Sequence, residues 1–265
     1  MDIYLFLEYL FLGLLQGFTE PLPISSSAHV FIFERILNSA DTGLLFEIIV
    51  NFGSLIAIFF IFRKTIFTLI SHFFNYLKTK EKEYFTYYKY SWLIVIGTLP
   101  GVIAGFLFKD TIEGVLANTK TIGIALLITA LALYIIRGSK GEKSDENITF
   151  KDALLIGLFQ AVALVPGISR SGATIVAGIL LGLKRETAFR FSFMLYIPIS
   201  IGSLVLGILK PTLTTDIIYY IIGFISSMVM TYFSTQWFIN IMKKGKLIYF
   251  SIYCVILGII TILFI

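Results

Sequence analysis

Six stretches of this chain, residues 44–62, 92–108, 121–136, 191–209, 217–241 and 247–265, are apolar nearly throughout. A helix needs about 20 such residues to cross the hydrocarbon of a bilayer. In lipid every backbone N–H and C=O must be satisfied within the structure, which leaves helices and closed barrels. The runs therefore predict an all-α integral membrane protein. Composition agrees, with 57% hydrophobic residues, a mean hydropathy of +0.91 and only 14% charged residues, against about 25% in soluble domains. The first apolar run starts at Ile3 without a basic n-region and leads into a polar patch at Glu20, so no cleavable signal is expected. The net charge of +5 does not indicate nucleic acid, because Lys and Arg fall mainly between apolar runs, where they set topology. Cys254 is the single cysteine, which excludes an intrachain disulfide and leaves no Cys/His metal spacing.

Two polar breaks interrupt shorter apolar pieces. The first follows residues 3–17, whose end carries Gln16, precedes residues 30–37, and contains Glu20, Pro21, Pro23, Ser25, Ser26, Ser27 and His29. The second, Pro166-Gly-Ile-Ser-Arg-Ser-Gly-Ala-Thr174, lies between residues 153–165 and 175–183. An apolar half, a break with prolines and another apolar half form the pattern of a re-entrant hairpin, which is tolerated at membrane depth only where protein or water covers it. Arg170 is a charge in an apolar setting, and such a charge normally faces a polar cavity and has a partner. Gly167 lets backbone approach a ligand. A helix starting near Ile168 would aim free N–H groups at the same place. Arginine, the hydroxyls of Ser169, Ser171 and Thr174, and a helix N-terminus suit a phosphate. The bland alternative is a polar kink with a structural arginine.

The breaks resemble each other. Gly13-Leu-Leu-Gln16 matches Gly157-Leu-Phe-Gln160, Ile24-Ser-Ser-Ser27 matches Ile168-Ser-Arg-Ser171, and Gly53-Ser-Leu55 matches Gly202-Ser-Leu204. Each half then holds one hairpin and three spans: a single transmembrane domain over 1–265, with pseudo-repeat halves at about 1–136 and 152–265 joined by a hydrophilic linker, 137–151. Sixteen of the 21 Lys and Arg fall in residues 63–89, 137–151, 184–190 and 243–246. Placing these loops in the cytoplasm leaves Arg35, Lys109, Lys120 and Lys210 outside. On that layout the hairpins enter from opposite faces. The halves are inverted repeats, whose broken segments commonly meet near the midplane. The predicted fold is six transmembrane helices plus two re-entrant helical hairpins.

If the breaks meet, one site gathers Glu20, His29, Arg170, the serines and Thr174, with Glu47 and Asn51, one helical turn apart, alongside. Singly, each has a structural alternative: Glu20 as an ion-pair partner of Arg170, His29 as an interfacial histidine, the three serines as helix caps. Together they favour chemistry on a phosphate.

Gln16-x-x-x-Glu20, the run from Pro23 to His29, and the Pro166–Thr174 motif resemble the signature motifs of undecaprenyl-diphosphate phosphatases of the bacitracin-resistance type. The resemblance covers essentially the whole chain. Pro21 stands where that family usually has an aromatic residue, and Ala28 where it usually has glycine. The resemblance implies hydrolysis of a polyprenyl diphosphate to the monophosphate, recycling the lipid carrier of cell-wall synthesis. It also implies a divalent cation, Mg²⁺ or Ca²⁺, and a bacterial plasma-membrane enzyme with its site facing outward. Within that chemistry Arg170 grips phosphate oxygens, completed by Ser27, Gly167, Ser169, Ser171 and Thr174. Glu20, with Gln16, holds the metal. His29 is the expected acid/base, and Ser26 the preferred nucleophile over a metal-activated water. The expected partners are the lipid substrate and the bilayer, with a homodimer left open. The rival function is a lipid-phosphate transporter or flippase, since inverted repeats with broken helices are a transporter architecture.

Overall fold

The structure, a computed structural model, describes residues 2–37, 43–108, 118–208 and 215–265. The described residues form ten α-helices: α1 Ile3–Thr19, α2 Ser26–Ile36, α3 Gly43–Thr79, α4 Lys82–Leu107, α5 Thr119–Ile135, α6 Phe150–Val162, α7 Arg170–Leu180, α8 Arg185–Ile208, α9 Ile217–Lys244 and α10 Ile248–Phe264. A short 3₁₀ turn, Asp145–Asn147, precedes α6. Among these, α3, α4, α8 and α9 are long and apolar enough to cross a membrane. The helices α5 and α10 have 17 residues each, about 25 Å of helix, at the lower end of a spanning length. Exposed large apolar side chains such as Phe60, Ile103, Leu131, Phe233 and Leu263 cover the outer faces, as lipid-facing helices require. Most of the loop expected at 109–120, together with Lys109 and Lys210, lies outside the described residues.

Both polar breaks form turns between paired short helices, α1 with α2 and α6 with α7. The hairpins are gripped by long helices of the other half. Helix α1 packs on α9, and α6 packs on α4. Glycines make both approaches close: a Cβ on Gly13 would collide with the backbone of Gly223, and one on Gly157 with the backbone of Gly97. Across the middle, α3 meets α8, and α5 meets α10. The main apolar core runs through these contacts, with Ile58, Leu93, Phe191, Leu195, Tyr196 and Phe238 fully buried or nearly so.

Three local expectations change. Residues 63–89, read as a basic loop, are almost wholly helical, because α3 continues to Thr79 and α4 starts at Lys82. The turn sits at Lys80 with φ 59°. Facing aromatics hold the pair together, with Tyr88 ring centroids 4.5 Å from Tyr76 and 5.2 Å from Phe73. Pro100-Gly101, which by sequence should interrupt the span at 92–108, does not do so, since α4 runs through it. The hydrophilic linker is docked rather than free. Glu142 and Lys143 donate N–H groups to the Gly182 carbonyl, Lys143 pairs with Asp152 at 3.1 Å, and Arg190 with Asp145 at 3.1 Å.

Candidate active site

The site lies where the breaks touch. Glu20 closes α1, its N–H still bound to the Gln16 carbonyl. Ser26 and Arg170 are the first residues of α2 and α7. All three side chains converge. Arg170 Nη2 donates to Glu20 Oε1, Ser26 Oγ donates to Glu20 Oε2 at 2.5 Å, and Gln16 Nε2 donates to the same oxygen at 2.9 Å. The carboxylate side chain is 5% exposed and the guanidinium 20% exposed. Glu20 is therefore a largely buried charge whose two oxygens are satisfied by three donors, as a buried carboxylate must be. The Arg170 guanidinium also lies 3.8 Å over the Tyr196 ring, a placement that fixes its plane. Tyr196 in turn donates to the Asn51 carbonyl at 3.0 Å.

Above these groups is a polar cavity of about 150 Å³, lined by Glu20, Ser25, Ser26, Ser27, Asn51, Ser169, Arg170 and Ser171, with Leu22, Ala163 and Ile168. Two helices open onto it. Ser25 caps α2 by accepting from the Ala28 N–H, and Ser169 caps α7 by accepting from the Gly172 N–H. The helical Ala28 thus serves this cap without needing glycine. A further bond ties the breaks together, from Ser171 Oγ to the Leu22 carbonyl at 3.0 Å.

Ser25 holds φ 67° and ψ 95°, a conformation costly for a residue with a Cβ. Its carbonyl accepts from His29 Nδ1 at 2.7 Å. A carbonyl oxygen only accepts, so Nδ1 carries the proton. His29 Nε2 meets the Tyr253 hydroxyl at 2.7 Å, and the two rings stack with 5.6 Å between centroids. Both ring nitrogens are thus engaged behind the serine turn, and His29 is not in the cavity wall. The proton acceptor within reach of Ser26 is Glu20. Thr174 also points away, with Oγ1 2.6 Å from Ser192 Oγ. Gly167, at φ 96°, packs its backbone against Ile122, and Glu47 is exposed on α3. Asn51 reaches the cavity and Glu47 does not, although they share a helix face.

Tyr196, Tyr253 and Ser192 were not among the sequence candidates. A tyrosine in the middle of a span, rather than at an interface, was the available signal for Tyr196. Tyr253 and Ser192 carried none, because their importance depends on which helices pack together.

A family model described as bacitracin resistance protein BacA matches residues 9–260. The chain is 48% identical to undecaprenyl-diphosphatase 2 of Bacillus thuringiensis (strain Al Hakam), over 99% of each chain. It is 48% identical to undecaprenyl-diphosphatase 1 of Halalkalibacterium halodurans, over 98% of this chain and 97% of the relative. It is 44% identical to the undecaprenyl-diphosphatase of Oceanobacillus iheyensis, over 99% and 98%.

Proposed function

This chain belongs to the BacA family of bacitracin resistance proteins, and from that premise we propose how its site works. It is a multi-pass bacterial membrane enzyme that hydrolyses undecaprenyl diphosphate to the monophosphate and phosphate. The relatives above carry hydrolase names, and none supports the transporter reading.

The observation that carries the mechanism is the 2.5 Å bond from Ser26 Oγ to Glu20 Oε2 beneath a cavity walled by Arg170. Ser26 Oγ attacks the terminal phosphorus and its proton passes to Glu20. The bond from that phosphorus to the bridging oxygen breaks, and the lipid monophosphate leaves. Water then cleaves the phosphoserine, releasing phosphate and restoring Ser26. Arg170 shares its guanidinium between Glu20 and phosphate oxygens, and Ser27, Ser169 and Ser171 complete the cradle. His29, held by Tyr253, keeps the Ser25 turn in shape so that Ser26 stays on Glu20.

Among the described residues no three His, Cys, Asp or Glu side chains cluster. Mg²⁺ is commonly held through one or two carboxylates plus substrate phosphates; Glu20, whose oxygens already accept from Arg170, Ser26 and Gln16, would hold it through a remaining lone pair, with the Gln16 side-chain oxygen beside it. A bound Mg²⁺ or Ca²⁺ supplies neutralisation of diphosphate charge.

The two halves are inverted repeats. The supporting pattern is the exchange of partners, α1 on α9 and α6 on α4, with α3 on α8 and α5 on α10 across the pseudo-axis. Helices α3, α4, α5, α8, α9 and α10 then span, and the two short pairs re-enter. The enzyme sits in the plasma membrane with residues 63–89 and 137–151 inside and the cavity facing outward. On a Cys254-free background, a Ser144→Cys protein stays unlabelled by an impermeant thiol reagent in intact cells; labelling there overturns the layout. The hydrolysis itself is tested by phosphate release from undecaprenyl diphosphate with purified protein in detergent, and no release overturns it.

A further inference from the structure

A second hollow, of about 170 Å³, adjoins the polar cavity and has the opposite character. Its floor is Thr129, Ser169, Gly172 and Val176, all buried, and its rim is Ile128, Phe159 and Val162, all exposed. The floor's polar atoms are already used: Thr129 Oγ1 accepts the Ser169 N–H at 3.2 Å, and Ser169 Oγ caps Gly172 at 3.0 Å. What remains is hydrocarbon. The groove lies between α5, α6 and α7, and its apolar rim is exposed at the outer surface of these helices.

Two residues, Ile168 and Ser169, line both spaces. The polar cradle and the apolar groove are therefore the two sides of one short piece of chain. A molecule that fills both must carry a highly polar head joined directly to a hydrocarbon. We propose that the groove binds the head-proximal isoprene of the substrate's polyprenyl tail, an inference that rests on the hydrolase reading. An apolar cavity of about 150 Å³ holds a benzene-sized hydrocarbon, so the groove takes a five-carbon unit and hands the rest of the tail past Phe159 and Val162 to the bilayer. Small side chains keep it open. At Gly172 a Cβ would press tightly on the Ser169 side chain, 3.0 Å from its Cβ. Ala132 on α5 and Ala173 on α7 are the positions where size is free to act.

The test fills the groove from two independent helices. Neither Ala132 nor Ala173 is itself a member of the hydrolytic machinery, and Ala132→Phe and Ala173→Leu add bulk to the groove from opposite walls. Each is expected to raise KM for undecaprenyl diphosphate about tenfold or more, the effect of a misfit of one or two carbons in an apolar pocket. The value of kcat should stay within about threefold, as for lost uniform binding. Unchanged KM in both variants overturns the proposal. A second measurement covers variants that fail to fold. A photo-crosslinking phenylalanine at Phe159 or Ile128 in the otherwise native protein should capture labelled undecaprenyl diphosphate, with excess unlabelled lipid competing. The same probe at Ile225, exposed on α9, should not. No capture at Phe159 and Ile128, or equal capture at Ile225, overturns the groove. If the probe at Phe159 captures the lipid while the native protein releases no phosphate, the hydrolase reading fails and the tail site stands.

Discussion

The break after α1 and the break after α6 start their second helices in the same way and finish differently. In each, a serine caps the helix, Ser25 on α2 and Ser169 on α7. In each, that serine lies 3.2 Å from the hydroxyl two positions on, Ser27 or Ser171. The next residue along the helix is Ser26 in one and Arg170 in the other, and both reach Glu20. The position matching Glu20 in the second break is Leu164. Gln16 donates to Glu20, whereas its counterpart Gln160 is 1% exposed and has no hydrogen-bond partner among the described residues. On the proposed mechanism, the frame shared by the two breaks supplies the meeting point, and the unlike residues supply the chemistry. Two carboxylates face to face would repel, and two arginines would do the same. One of each leaves a paired, nearly neutral floor whose guanidinium retains donors for phosphate.

The largest effect should come from the residue that breaks this likeness most sharply. Ser26→Ala is expected to lower turnover roughly 10⁴-fold or more, as for loss of a nucleophile, and to abolish any phosphoserine trapped by rapid quench. Ser27→Ala, one position on and at the cavity rim, should cost far less. Equal losses at both serines would reduce Ser26 to a phosphate donor and favour a water nucleophile.

Next is the pair that joins the breaks. Arg170→Met leaves Glu20 buried without its cation, which should cost about 3–5 kcal/mol of stability. Adding Glu20→Leu should return the melting temperature toward that of the native protein without returning phosphate release. Arg170→Lys keeps charge but loses the planar fork, so it should remain nearly inactive. A double variant with native turnover would make the pair purely structural and remove both residues from the mechanism.

Much of this arrangement was legible from residue order. Spaced apolar runs gave an all-helical membrane protein, and Arg170 in an apolar setting announced a partner 150 positions away, found as Glu20. The helical continuation through 63–79 was hidden because Arg63 and Lys64 look like the end of a span, while the aromatic face that extends α3 is completed by α4. The place of His29 was hidden for a similar reason. Its type and its nearness to Ser26 suggest proton transfer, but side-chain direction is set by the Ser25 turn, and Tyr253 arrives from α10. Neither a local period nor a motif carries that information.

His29 gives the third test, since the second break has Ala173 at the matching position. If the imidazole only shapes the Ser25 turn, His29→Ala should lower turnover about 10²-fold, the scale of a small misplacement of a reacting group. Tyr253→Phe should lower it roughly fivefold, near the value of one hydrogen bond. Both should leave the form of the pH–rate profile unchanged. Loss of one limb of that profile in His29→Ala alone would restore it as the acid or base.

The smallest effect should come from the two glutamines, and it bears most directly on whether the second break keeps chemistry of its own. Gln160 occupies the helix position that Gln16 occupies in α1, packed against Gly101 of α4, but Leu164 gives it no carboxylate to meet. A buried amide without a partner costs about 1–3 kcal/mol relative to a satisfied one. Gln160→Leu, similar in volume, should therefore leave phosphate release within about twofold and raise the melting temperature. Gln16→Leu removes a donor from Glu20 and should lower turnover without that gain in stability. The measurement is a paired melt and phosphate-release assay on both variants. A Gln160→Leu protein that loses activity as Gln16→Leu does would mean that the second break also holds a working polar group, and the division of one frame into a reactive half and a clamping half would fall.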